Sequence, residues 1–408
     1  MEKFRKNENY GWFVCVACTL LMFCTNGLSL AGFSAYQPYL ISIGGLTNTE
    51  ASTVVTFRTL FTLIAMLITT PLIKKVNVRK MSAIGMLLCA LAFGLYGFAE
   101  SFIGYAAAAS VCGLAAGLGG TIPVSIVIAR WFNGHRGLAL GICMAATGFS
   151  TIVASPLITI AVQRLSLSAA FYAEAVFILI SGVIVYNILR NSPYNMGLEP
   201  IGAHETGRRP AYAVHKAPSG LYMAMMIGIF IFGMPGNVLY THISVLYRTA
   251  GFESMQISWL LSIFGFMLMT GKCVYGQIAD RFGTWHSSWL LYALLVIGTV
   301  LCCFADNGSF VNASFGVALM GFGLAVTAVS ISMYAAGVST EEQYSATLTR
   351  FQVLSTVGSL VFSTVPGIIA DKTGSYVPAF VIMLVLAVIG GLVLQFSYHR
   401  IRVIDTTT

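Results

Sequence analysis

The chain has 408 residues, 57% of them hydrophobic and 9% charged, with a formal net charge of +8 and a mean hydropathy of +0.83. Soluble domains carry about 25% charged residues, so this composition excludes a soluble globular surface and points to lipid as the solvent. The positive charge does not indicate nucleic acid, because most basic residues flank apolar runs, where they anchor and orient membrane helices.

The first apolar stretch, Trp12 to about Leu30, is longer than a signal-peptide core and lacks a convincing cleavage site, so it is expected to be the first span. Breakers and charges then divide the chain into twelve predicted spans: 11–44, 50–73, 81–99, 101–129, 137–162, 167–189, 220–247, 254–279, 285–305, 309–337, 343–370 and 375–398. The predicted fold is therefore all-α and polytopic, with little chain left for a soluble domain. With the N-terminus inside, the inner segments hold sixteen Lys and Arg residues, among them Lys3, Lys74, Lys75, Arg79, Arg130, Arg136, Arg190, Arg281 and Arg400. The outer loops hold three, Arg164, Arg248 and Lys372. This asymmetry predicts a multi-pass protein of the cell inner membrane with both termini cytoplasmic. Trp12, Trp131, Trp285 and Trp289 sit near predicted helix ends, as an aromatic belt would.

The stretch 190–219 carries Pro193, Pro200, Pro210 and Pro218 and reads as a flexible cytoplasmic linker. It separates two six-helix halves, 1–190 and 220–408, with the linker proper at 191–219. The halves are weakly alike: a shift of 209 residues sets Ala170-Phe171 on Ala379-Phe380, and Pro156 falls near Pro366. Paired halves are the pattern of secondary transporters, with the substrate site near midplane between the repeats. Nine cysteines all lie in apolar segments, and the Cys15-x-x-Cys18 pair reads as buried packing rather than redox or metal chemistry.

The loop after span eight reads Gly276-Gln-Ile-Ala-Asp280-Arg281-Phe-Gly283. This GxxxDRxG resembles the cytoplasmic loop signature of the major facilitator superfamily. Gly276 allows close packing, Asp280 and Arg281 suit a charge lock on helix ends, and Gly283 permits a tight turn. After span two the counterpart is degenerate, with Lys74 in place of the acid. A third echo, Gly367-Ile-Ile-Ala-Asp371-Lys372-Thr-Gly374, falls on the outer face and is expected to be structural. The run Ala129-Arg130-Trp131-Phe132-Asn-Gly-His-Arg136-Gly137-Leu-Ala-Leu-Gly141 resembles the span four-to-five junction of the monocarboxylate-transporter-like branch, which includes oxalate/formate antiporters. The Tyr10-Gly11-Trp12 start and the Gly27 to Pro38 spacing are also similar to that branch. The resemblance implies a major facilitator fold of two pseudo-symmetric six-helix bundles. It also implies transport of small carboxylates by alternating access, as symport or exchange, with Arg130, Arg136, Asp280 and Arg281 in conformational roles.

Charges at bilayer depth are costly and mark functional sites. Three bases qualify: Arg58 in span two, Lys272 in span eight and Arg350 in span eleven. By resemblance, Lys272 falls where carboxylate-transporting relatives place a substrate-binding arginine. An ammonium neutralises a carboxylate without gripping it in a bidentate manner, and snorkelling to the cytoplasm is the competing reading. Arg58 either meets substrate or pairs with a carbonyl or the outer interface. Arg350 lies nearer the cytoplasmic face, where snorkelling is easier. Oxalate-transporting relatives carry a further cation deeper in span eleven, where this chain has Thr356. At most one acid, Glu174, faces these bases, which favours an anionic visitor. Tyr36, Gln37, Asn237, Tyr240 and Tyr334 are expected cavity contacts, with Asn26, Ser34, Thr121, Ser125, Thr241 and Ser330, if spans one, four, seven and ten line the cavity as the family arrangement implies. Helix–helix hydrogen bonding is the competing role for each.

Proton-coupled relatives have a lysine in span one, where this chain has Ser34, and an Asp beside the span-eight cation, which is missing here. His242 is the remaining candidate proton relay, an interfacial histidine being the alternative. The spacings Gly113-xxx-Gly117 and Gly137-xxx-Gly141 read as close-packing sites. No Walker loop, HExxH or nucleophile elbow occurs, so no enzyme activity, cofactor or metal is expected. The expected partners are the bilayer, a small organic anion and a coupling proton or exchanged anion, on a monomer. The competing classes are a drug or cation exporter, which needs an acid in the cavity, and a membrane sensor, which needs a soluble domain.

Overall fold

A computed structural model describes residues 10–72, 76–132, 136–201, 217–340 and 342–407. The loop bases Lys74 and Lys75 and linker residues 202–216 lie outside these. Among the described residues, eleven helical segments are long and apolar enough to cross a membrane. The remaining predicted span, ten, is met by two shorter helices, Phe310–Leu324 and Val326–Val338. The twelve-span reading holds, and the last helix, Val377–Thr407, runs past its predicted end at 398.

Local chemistry sets the helix limits. Ser101, Ser166 and Ser309 accept from the backbone N–H three residues on, at 3.4, 3.0 and 3.3 Å, and Asn77 accepts from that of Arg79 at 2.9 Å. Each side chain satisfies one of the four N–H groups that a helix start leaves open. Span eight ends as expected at Gly283, whose φ of 81° a side chain would resist.

Five spans are interrupted. Span one is helical over Tyr10–Met22, opens into a π-helical segment over Phe23–Gly32 and returns to an α-helix over Phe33–Ser42. Span four breaks at Gly120, span seven at His242, span ten at Ala325, and span eleven between Phe362 and Val365. In lipid, backbone groups released by a break must find partners inside the protein, and hydroxyls supply them. Pro123 has no N–H to offer the Gly119 carbonyl four residues back, and Thr25 Oγ1, from the π segment, donates to that carbonyl at 3.2 Å. Pro38 likewise frees the Ser34 carbonyl, which accepts from Ser244 Oγ. Ser34 Oγ in turn donates to the Tyr240 and Thr241 carbonyls at 3.3 and 3.2 Å, where span seven stops.

The chain forms two compact units, Met1–Phe33 with Phe57–Arg209, and Ser34–Thr56 with Pro210–Thr408. The end of span one and the start of span two thus pack with the C-terminal spans. In the first unit, span three lies along spans four and six, and span five packs on the π segment. In the second, span seven lies along spans twelve and eleven, and span ten along spans eight and nine.

The linker is less free at its start than its prolines suggest. Residues Pro193–Met196 form a 3₁₀ turn, and the Ile201 N–H donates to the Trp131 carbonyl at 2.8 Å. The Ile201 side chain fills the space above Gly11. Anchoring here has a physical cause, since a Cβ on Gly11 would stand 2.4 Å from Ile201 Cδ1.

Among the cysteines, Cys15 and Cys18 are buried as expected, and Cys273 is exposed. The two glycine pairs differ. A Cβ on Gly113 would stand 2.2 Å from the Arg58 carbonyl oxygen, and one on Gly117 2.3 Å from Ala65 Cβ, so spans two and four meet through them. A Cβ on Gly141 meets nothing within 4 Å, which corrects the close-packing expectation there.

Gly113→Ala is therefore expected to lower stability by about 1–3 kcal/mol through overpacking, and Gly141→Ala to raise it by up to about 1 kcal/mol through helix propensity. Thermal unfolding in detergent distinguishes the two. Thr25→Val and Ser244→Ala, each orphaning a buried carbonyl, are expected to cost about 1–3 kcal/mol in the same assay.

Candidate transport site

In the first unit, the deepest charge is Arg58, 4% exposed. Its guanidinium donates to Ser29 Oγ at 3.0 Å, and its Nε has no hydrogen-bond partner. Ser29 is presented by the π segment, whose widened turn also places Thr25 on span four. The hydroxyl of Tyr96 in span three is buried nearby without a partner, and the thiols of Cys89 and Cys112 border the same guanidinium. Among the described residues the guanidinium meets a hydroxyl rather than a carbonyl. A hydroxyl carries no counter-charge to the guanidinium, so the region attracts anions.

In the second unit, Lys272 is half-buried in span eight, within the helix Ser254–Phe282. Tyr240 is buried and stacks on Phe264 of the same span, with ring centroids 5.6 Å apart and planes at 14°. Asn237 is exposed one turn before Thr241, which donates to its carbonyl at 3.2 Å. Tyr36 and Gln37 are fully buried, and both amide atoms of Gln37 lack partners. Tyr334 is also fully buried; its ring meets Tyr398 edge-on at 4.9 Å and its hydroxyl has no partner. A narrow cleft lies among Phe232, Tyr292, Thr327, Ser330 and Ser355.

Arg350 is exposed, which sets it apart from buried Arg58. His242 corrects an expectation. It is fully buried at the break in span seven rather than interfacial. Its Nδ1 lies 3.0 Å from the Val238 carbonyl and 3.1 Å from Thr241 Oγ1, and its Nε2 lies 3.1 Å from Ser52 Oγ. The carbonyl makes Nδ1 the donor and leaves Nε2 to accept from Ser52.

The motifs of the span four-to-five junction and of the chain start assemble in the first unit. Tyr10 stacks near Trp131 at 5.5 Å and Trp12 meets Phe132 at 5.1 Å. The Tyr10 hydroxyl donates to the Ile188 carbonyl at 2.8 Å, and Trp131 Nε1 to that of Arg190 at 3.0 Å. Arg130 donates to the Asn191 carbonyl at 3.4 Å. Arg79 lies over the Tyr186 ring at 4.1 Å and donates to its carbonyl at 2.7 Å. These cations neutralise the carbonyl end of span six, where a helix carries partial negative charge. Arg281 is exposed in the last turn of span eight, 5.5 Å from the Phe282 ring centroid. The side chains of Arg136 and Asp280 lie outside the described residues.

Sequence reasoning missed Ser29 and Ser244. Both are ordinary polar residues in apolar spans, and only the breaks around them reveal their use. Pro38 and Pro123 were available signals, since each announces a carbonyl in need of a donor.

Comparison with known proteins places this geometry. The monocarboxylate transporter 13 of Bos taurus is 22% identical over 316 residues, covering 74% of this chain and 68% of that protein. The monocarboxylate transporter 12 of Mus musculus is 20% identical over 410 residues, covering 91% and 82%. A D-xylose–proton symporter shares the fold with a TM-score of 0.73 at 12% identity, covering 95% of this chain and 97% of that one. A model of the Major Facilitator Superfamily matches residues 19–314 and 225–403. With twelve spans, five of them interrupted, and a family match across nearly its whole length, the chain belongs to the major facilitator superfamily of membrane transporters.

Proposed function

We propose that this transporter moves a small organic anion, a mono- or dicarboxylate, by alternating access as symport or exchange. The carrying observation is Arg58, buried at bilayer depth, bonded to a hydroxyl and with no carboxylate partner among the described residues. An unneutralised guanidinium in low dielectric is expensive, and an anionic solute offsets that cost while bound. The names of the monocarboxylate transporters similar to this chain agree with the reading. The fold itself is neutral on substrate, since a sugar symporter shares it.

In this reading Lys272 and Arg58 supply charge, with Tyr36, Gln37, Asn237, Tyr240 and Tyr334 as polar contacts. Arg350, being exposed, attracts the anion rather than gripping it. The partnerless amide of Gln37 and hydroxyl of Tyr334 are groups that a bound carboxylate and its water satisfy. Residues 1–190 and 220–408 are the two halves of the transport cycle. In this reading the protein sits in the inner membrane with both termini cytoplasmic, which the basic-residue asymmetry supports. His242 supports exchange over proton coupling, because both ring nitrogens are held within the protein.

Counterflow in proteoliposomes with a panel of carboxylates, with and without a pH gradient, tests this. Lys272→Gln and Arg58→Gln are expected to reduce carboxylate uptake about tenfold to a hundredfold, with Lys272→Arg retaining it. Wild-type rates in both glutamine variants, or transport of neutral solutes alone, would overturn the anion reading.

A further inference from the structure

The outer echo Gly367-Ile-Ile-Ala-Asp371 has a use that the transport site does not absorb. The helix Asn48–Leu72 opens span two, and its first intrahelical bond runs from the Ala51 N–H to the Thr47 carbonyl. Four N–H groups, those of residues 47–50, therefore need partners from elsewhere. Two are met locally by a capping box. The Thr47 N–H donates to Glu50 Oε2 at 2.8 Å, and the Glu50 N–H to Thr47 Oγ1 at 3.1 Å. The other two are met from more than 300 residues away. The Asn48 N–H donates to Asp371 Oδ1 at 3.1 Å and the Thr49 N–H to Asp371 Oδ2 at 2.8 Å. The side chains repeat the pairing, with Asn48 Nδ2 at 2.9 Å from Oδ1 and Thr49 Oγ1 at 2.5 Å from Oδ2.

Gly367, one turn before Asp371, makes the approach possible: a Cβ there would stand 2.4 Å from the Asn48 carbonyl oxygen. Four further contacts hold the start of span two. The Tyr376 hydroxyl donates to Asn48 Oδ1 at 3.1 Å. Thr56 Oγ1 lies 2.6 Å from both Ser363 Oγ and Thr364 Oγ1, at the break in span eleven. Ser52 Oγ bonds His242 at the break in span seven. The start of span two is thereby fastened to two interrupted helices at their interruptions, while from Phe57 onward the same helix belongs to the other compact unit.

The geometry points to Asp371 as a gating residue, the releasable cap of span two, whose departure frees residues 47–56 from spans seven and eleven when the transporter opens at this end. Asp371 is exposed, so water replaces it on the two N–H groups once the segments part. The inference rests on alternating access and not on the substrate. Its test uses no substrate, so its failure leaves the anion reading standing, and the reverse.

Hydrogen–deuterium exchange on the full chain in lipid nanodiscs reads it directly. Asp371→Asn, and independently Thr56→Val, are expected to raise exchange about threefold or more in all three segments 44–56, 240–250 and 362–376 together. Lys372→Gln, the neighbouring charge, is expected to leave all three unchanged. A rise confined to residues 47–50 makes Asp371 a helix cap and nothing more, and overturns the proposal. Unchanged exchange in the folded variants, or an equal rise with Lys372→Gln, also overturns it.

Discussion

Inside a bilayer the main chain has no water to fall back on, and every interruption of a helix creates a demand for hydrogen-bonding groups. This chain interrupts five of its spans, so the demand recurs. It is met by a small set of hydroxyls, and carboxylates serve the open N–H groups at the start of span two in the same way. Thr25 serves the Gly119 carbonyl, Ser34 those of Tyr240 and Thr241, Ser244 that of Ser34, and Asp371 the N–H groups of Asn48 and Thr49. The side chain that serves a broken helix often stands on a broken helix itself. Span one supplies Thr25 and Ser34, and the carbonyl that its Pro38 frees is served by span seven. The interruptions are mutually supporting, which is why they persist in an apolar solvent.

The same breaks create the polar interior that a transporter needs. The π segment of span one turns Ser29 towards Arg58, whose guanidinium donates to its hydroxyl. The break at His242 exposes two carbonyls that bond Ser34 of span one and a ring that bonds Ser52 of span two. Continuous α-helices in these places would satisfy themselves and leave nothing for a solute or a moving segment to bond. Glycines carry the rest of the load by letting backbones touch, as Gly113 does against Arg58 and Gly233 against Ser355.

The number of spans, their approximate limits and the family were legible in the sequence, because a twenty-residue apolar run has few other uses. The Gly283 turn and the packing at Gly113 and Gly117 were legible for local reasons of the same kind. The chemistry of the GxxxD pattern was legible too: a glycine for approach and an acid for a helix end. Its occurrence at Gly367 and Asp371 was read as structural because the partner, the start of span two, is remote in sequence. Gly141 and the start of the linker went the other way. A spacing of four and a cluster of prolines are local signals, whereas open space beside Gly141 and the docking of Ile201 on Trp131 depend on neighbours that no local pattern names. His242 belongs with these, since its burial follows from a break in span seven that lacks a proline at that position.

These bonds divide into two kinds by what replaces them. Carbonyls such as that of Gly119 are buried among helices of one unit, and losing Thr25 leaves them with nothing. The N–H groups of Asn48 and Thr49 lie at a helix start on a partly exposed turn, where water is the alternative partner. The first kind costs the full desolvation penalty to break, about 1–3 kcal/mol each; the second costs only the difference between carboxylate and water. A molecule that must change state while remaining folded needs strong bonds of the first kind within its rigid parts and exchangeable bonds of the second kind where parts separate. The placement of Thr25 and Asp371 follows that division. It assigns permanence to the broken helices and reversibility to the start of the chain's second span.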